Sequence, residues 1–147
     1  MRYNRSLLSC LLFCLVGCGG AAVENTLEVY PVSGMVLVDG KALPAVSVTF
    51  FPEKATKGNG GFGATDESGN FTLKDRDQRE GVSEGTYRVL FTRLVKPDGS
   101  PIGNDQMAAD VGAVNQLPEI YNDLSQSPVT ATVGKTNEPF KFELKSK

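Results

Sequence analysis

The chain has 147 residues, 15 basic against 17 acidic side chains for a formal charge of −2, and neither histidine nor tryptophan. Mild acidity without a Lys/Arg cluster argues against nucleic acid as a partner, because proteins that hold phosphate backbones carry a basic footprint. Without histidine the commonest general base and zinc ligand are missing, and no Ser-His-Asp or Cys-His arrangement can form; neither a catalytic group nor a cofactor is expected.

Arg2 and Arg5 open the chain, residues 7–16 are almost wholly apolar, and Gly17 precedes Cys18. A short basic segment, an apolar core of about 7–15 residues and a small residue make a secretory signal; a bilayer span needs roughly 20 apolar residues. Leu15-Val16-Gly17-Cys18 resembles the lipobox of bacterial lipoproteins. The resemblance implies recognition of Leu15, Val16 and Gly17 by a signal peptidase, diacylglyceryl (palmitate-type) modification of the Cys18 thiol, and Cys18 as the new N-terminus. Cys10 and Cys14 leave with the signal, so the exported part contains no disulfide and is held by packing alone. Losing Arg2 and Arg5 leaves 13 basic residues against 17 acidic, a formal −4. The expected organisation is a signal peptide at 1–17, a lipidated tether at 18–28, which reaches about 33 Å beyond the lipidated residue when extended, and one domain at 29–147.

Beyond the tether, two-residue alternation punctuated by Gly, Pro, Asn and Asp predicts short strands and no amphipathic helix. A first strand is expected over 30–38, with Val32, Val36 and Val38 on one face, and Asp39-Gly40 reads as a type I′ turn. A second, over 46–51, places Val46, Val48 and Phe50 on one side and Ser47, Thr49 and Phe51 on the other, and Pro52 ends it. Residues 54–60 read as a flexible loop. Residues 61–65 and 70–74 read as a hairpin around Asp66-Glu67-Ser68-Gly69, with Phe71 and Leu73 inward.

Residues 75–84 are charged and expected at the surface. The clearest strand is 86–95, where Tyr87, Val89 and Phe91 alternate with Arg88, Leu90 and Thr92. Residues 96–127 lack periodicity, and a stretch of that length is functional, disordered or partly structured; Leu117-Pro118-Glu119-Ile120-Tyr121 reads as an anchor or short helical turn pinning it back. Strands over 129–133 and 140–144 follow, the latter with Phe140, Phe142 and Leu144 inward. Strands with one apolar face each must bury it against a second sheet, so the expected fold is an all-β, seven-stranded antiparallel β-sandwich.

Val32-Ser33-Gly34-Met35-Val36, Asp39-Gly40-Lys41-Ala42-Leu43-Pro44, Thr65-Asp66-Glu67-Ser68-Gly69-Asn70-Phe71 and Gly85-Thr86-Tyr87-Arg88-Val89 together resemble carboxypeptidase regulatory-like domains. The resemblance implies a transthyretin-like (prealbumin-like) sandwich related to the Ig-like class. Leu117-Pro118-Glu119-Ile120-Tyr121 and Asn137-Glu138-Pro139-Phe140 look like small bacterial lipoproteins that carry this domain alone. Transthyretin-like hydrolases of urate breakdown share such a sandwich, but their sites resemble His- and Arg-bearing constellations, so that activity is not carried over to a chain without histidine. Each motif also has a mechanical reading as a turn or an inward-alternating strand, and the fold hosts many roles.

The remaining candidates are weighed on chemistry. Asp66, Glu67, Ser68 and Asn70 gather oxygens at one turn, too few for calcium's six to eight ligands. Asp75, Asp77, Glu80 and Glu84 are interleaved with Lys74, Arg76 and Arg79, which reads as solvated surface rather than the fixed carboxylate pair of a glycosidase. Among aromatics that could stack on a sugar, alternation assigns Tyr87 to the core; Tyr30, Tyr121 and Phe62 remain, and Tyr121 with Asn122 and Asp123 forms a candidate ligand contact. The function expected is a non-catalytic envelope lipoprotein whose domain is a structural or interaction module. The alternative is a module binding carbohydrate or peptidoglycan on the same scaffold. Expected partners are a membrane, reached through lipid on Cys18, and envelope proteins or cell-wall glycans. Gly19 after the cysteine favours the outer membrane by analogy with enterobacterial sorting.

Overall fold

A computed structural model describes residues 27–146; the leader, with Leu15, Val16, Gly17 and Cys18, lies outside the described residues. The fold is all-β. Among the described residues eleven strands form in chain order: β1 (Ser33–Val38), β2 (Lys41–Ala42), β3 (Ser47–Pro52), β4 (Gly61–Ala64), β5 (Asn70–Thr72), β6 (Lys74–Asp75), β7 (Gly85–Thr92), β8 (Leu94–Val95), β9 (Val114–Asn115), β10 (Thr130–Val133) and β11 (Phe140–Leu144). The one helical feature among the described residues is a 3-10 turn at Glu119–Tyr121.

One sheet places β11 beside β1, with β5 and β2 sharing the other edge of β1. The larger sheet has the order β10-β7-β3-β4-β6, and β8 and β9 form a separate ribbon. Alternation decides what each strand buries. Val48 and Phe50 of β3, Tyr87, Val89 and Phe91 of β7, and Ala131 and Val133 of β10 meet Val36 of β1, Phe71 of β5, and Phe142 and Leu144 of β11 in one apolar cluster. Phe142 is its hub: its ring lies 6.2 Å from Phe50, 6.0 Å from Phe71, 5.2 Å from Phe91 and 5.9 Å from Phe140. Edge-to-face and stacked pairs at these separations add to the burial gain.

Asp39 and Gly40 take φ of 50° and 79°, the double positive φ that a type I′ turn requires. The β1–β11 pair departs from the antiparallel expectation: Gly34 to Val38 run parallel to Phe140 to Leu144. β10 sits in the opposite sheet, so the chain crosses the core through residues 134–139 and returns in the direction of β1. Residues between β1 and β11 thus serve as the crossover that a parallel pair needs. The expected hairpin around Asp66 also divides. β4 pairs with β3 and β6, whereas β5 pairs with β1, so the chain changes sheets at the turn. The expected 86–95 strand breaks at Arg93, whose N–H goes to Asn115 Oδ1 at 3.0 Å, and β8 leaves to pair with β9.

Three loops are tied down. The supposedly flexible 54–60 segment is stapled by Thr56, whose hydroxyl donates to Thr86 O at 2.7 Å and accepts from Thr86 N–H at 2.8 Å. The 75–84 stretch, expected at the surface, buries Asp75, Val82 and Ser83. The reason is that Val82 and Tyr30 exchange backbone hydrogen bonds of 2.8 and 3.1 Å, which folds this stretch under the chain entering from the tether. In the long segment, Leu117 is buried and Tyr121 sets its ring edge-on to Phe91 at 6.5 Å.

Candidate functional site

The predicted trio lies together on the 3-10 turn and its exit, and each member has an intramolecular partner. Tyr121 Oη accepts from the Lys145 N–H at 3.1 Å, and Asn122 Oδ1 accepts from the Thr92 hydroxyl at 3.1 Å. Asp123 accepts from Ser125 N–H and Oγ and from Gln126 Nε2 at 2.6–2.7 Å. The Ser125 hydroxyl, followed by Gln126, holds the Asp123 carboxyl below its ordinary value of 3.8. These contacts fasten the long loop across β7 and β11.

The acidic candidates are likewise engaged. Asp66 Oδ1 accepts from the N–H groups of Ser68 and Asn70 at 2.8 and 2.9 Å, an Asx turn. Asp75 Oδ1 accepts from the N–H groups of Asp77 and Arg79, and its Oδ2 takes Arg79 Nε at 2.8 Å and Nη2 at 2.7 Å. Arg79 Nη1 donates onward to Leu27 O at 2.9 Å, so docking onto the domain reaches into the segment assigned to the tether. Among the described residues no group of three or more His, Cys, Asp or Glu is placed to hold a metal ion.

Sequence reasoning did not assemble what lies on the outer face of the larger sheet. Thr49 pairs with Phe62, so Phe51, two residues along β3, shares the face of Phe62. Both rings stand in solvent, 40% and 50% exposed. They border an open groove of about 470 Å³ whose wall includes Asn59, Arg76 and Gln78. Gly60 forms part of its lining: it has φ of 74°, and a Cβ there would sit 2.0 Å from Phe50 O. The far wall is the 75–79 turn, closed by Gln78 N–H to Asp75 O at 3.1 Å and held by the buried Asp75 carboxylate. Gln78 itself takes φ of 63°, a left-handed conformation that costs a non-glycine residue about 1 kcal/mol. Arg76 enters no ion pair among the described residues, and no carboxylate lines the groove.

No known protein family, curated protein or solved structure matches the chain. The signal that could have located the groove was the outward position of Phe51, since a phenyl ring on the solvent side of a strand has no packing role. Arg76 and Gln78 carry no comparable local signal. A second cleft, of about 710 Å³, runs beside Thr56 and Leu124, but two of its charged groups, Arg88 and Glu53, are spent on each other: Arg88 Nη2 lies 2.8 Å from Glu53 Oε1, and Nη1 donates to Ser127 O at 2.8 Å. Among the described residues no helix is long and apolar enough to cross a membrane.

Proposed function

We propose that the protein is a non-catalytic lipoprotein of the bacterial cell envelope, anchored through Cys18, whose β domain is an interaction module. The observation that carries the anchor is the order Arg2, Arg5, apolar 7–16, Leu15-Val16-Gly17-Cys18. Each buried methylene contributes about 0.8 kcal/mol and one acyl chain holds marginally, so the two chains of a diacylglyceryl group give stable attachment. Gly19 after the cysteine favours the outer membrane.

The domain reading is a transthyretin-like, seven-stranded sandwich of the carboxypeptidase regulatory-like kind, with β1 and β11 as a parallel pair. Seven strands of three or more residues support it. So does Tyr87, near the start of β7, whose hydroxyl donates to the Ser83 carbonyl, in the manner of the tyrosine corner of such sandwiches. A non-catalytic role is favoured because Asp66, Asp75 and Asp123 spend their oxygens on local N–H and O–H donors. The second reading, a carbohydrate-binding module, is favoured by the exposed Phe51 and Phe62.

Labelled palmitate should appear on the protein, and Cys18→Ser should release it from the membrane fraction. Absence of label, with the variant fractionating as the parent does, overturns the anchor. Saturable hydrolysis of an ester, amide or glycoside, lost on a point substitution, overturns the non-catalytic reading.

A further inference from the structure

We infer that the groove between Phe51, Phe62 and the 75–79 turn binds a carboxylate-bearing sugar. The inference rests on reading the domain as an interaction module, and it supplies that module's ligand class; it does not depend on lipidation of Cys18.

Four features of the groove converge. First, cross-strand diagonal neighbours in a sheet lie about 7–8 Å apart, so Phe51 and Phe62 form a discontinuous apolar floor of pyranose dimensions, suited to the C–H faces of consecutive rings. Second, Asn59 and Gln78 line the same groove, and a side-chain amide offers donors and an acceptor together, which matches the paired donor and acceptor character of vicinal hydroxyls. Third, the one charged side chain in the lining is Arg76, which stands in the wall without an ion pair among the described residues, while Lys74, opposite Phe62 in the β4–β6 register, is faced by Glu80 across their bridge. A guanidinium is the group that pairs bidentately with a carboxylate. Fourth, the wall is built at a cost. Asp75, buried under the turn, receives four hydrogen bonds and ion-pair contacts that fix the backbone on either side of Arg76, and Gln78 is held left-handed within that turn. Strained residues persist where the surroundings over-determine them, and such sites concentrate at ligand clamps.

A protein partner fits this shape less well. The concavity lies in the range of small-molecule sites, roughly 300–1,000 Å³, and two amides and a guanidinium line it beside the rings, where a protein-binding surface would continue the apolar floor. Muramic acid residues and uronic acid residues share the required chemistry, a pyranose ring bearing a carboxylate.

The test uses the full chain in detergent, with binding followed by NMR shifts and calorimetric titration. Three probes are compared: a tetrasaccharide of alternating N-acetylglucosamine and N-acetylmuramic acid, tetragalacturonate, and neutral N-acetylchitotetraose. At least one acidic probe should bind, with shifts at Phe51, Phe62, Asn59 and Gln78, and its affinity should fall with added salt. Arg76→Gln should weaken the acidic probe at least tenfold and leave any neutral binding unchanged, while Phe62→Ala should abolish binding of all three. Both side chains are exposed, and unchanged melting of the variants shows that the effect is not unfolding. Which acidic probe wins identifies the source. Equal binding of the neutral probe with no effect of Arg76→Gln overturns the acidic assignment. Silence of all three probes overturns the site. The palmitate experiment is independent of each of these outcomes, so the anchored-module reading and the ligand assignment fail separately.

Discussion

The Tyr87 hydroxyl donates to the Ser83 carbonyl oxygen at 2.7 Å, four residues upstream, and lies 3.0 Å from the Ser83 hydroxyl. The ring above it is fully buried against Phe50, so the loop before β7 is bound to the core through one phenol. Ser83 Oγ in turn reaches Lys57 O, which couples the loop after β3 to the same point.

Tyr87→Phe keeps the ring and removes the hydroxyl. Stability should fall by about 1–2 kcal/mol, the effect of orphaning a buried acceptor. A urea titration checks it through a lower midpoint at unchanged slope.

The same phenol contributes to the alkaline response. Burial raises Tyr87 above its ordinary 10.0, partly offset by the Ser83 hydrogen bond, and a hydrogen bond to Glu28 raises Tyr30. A raised value in the folded state means that the contribution is intact below pH 10 and is lost as pH climbs through the folded value. Melting temperature should therefore hold to about pH 10 and then drop. Tyr87→Phe should flatten that drop, with Tyr30 supplying the remainder.

Acid acts through different residues. The Ser146 hydroxyl lowers Asp39, that of Ser100 lowers Asp98, and that of Ser125 lowers Asp123, each from 3.8. Lowered values mean stabilisation that is complete above the unfolded value and lost as pH falls through the folded one. Melting curves from pH 6 to 2.5 should decline below about pH 4, and Asp123→Asn should decline less steeply than the parent.

Phe142→Ala should be the most damaging of these changes, at about 3–5 kcal/mol, because four rings lose their common neighbour. Phe142→Leu should cost less than half of that. Chemical denaturation of both variants measures the difference.

Asp75→Asn tests the buried carboxylate under the turn. It should cost about 2 kcal/mol, since Arg79 loses its ionic partner while remaining partly in water. A double-mutant cycle with Arg79→Gln should return a coupling of about 1 kcal/mol or more.

Strand positions were legible wherever alternation and turn chemistry agreed. Val46, Val48 and Phe50 are buried, Tyr87, Val89 and Phe91 are buried, and β11 spans Phe140–Leu144 as its alternation predicted. Asp39-Gly40 turned as its φ requirements dictate. What alternation cannot carry is the identity of a strand's neighbour. The parallel partner of β1 lies about a hundred positions away, and β5 faces β1 rather than β4 because Phe71 is needed beside Phe142. Asp75 misled for a related reason. Flanked by Lys74 and Arg76 it looks solvated, but Arg79 grips it and reaches on to the Leu27 carbonyl, which is remote in sequence. The groove was half visible: Phe51 read as outward, but the basic and amide wall opposite it is set by that same buried aspartate.

The side-by-side course of β1 and β11 fixes how the domain bears load. Tension arriving before Ser33 and resistance beyond Leu144 would act at opposite ends of one ladder with five Cα partner pairs, so its rungs are strained together in shear instead of opening one after another. A body pulled from its first strand would thereby withstand tugging, and single-molecule extension from those two ends should meet its highest force at this seam.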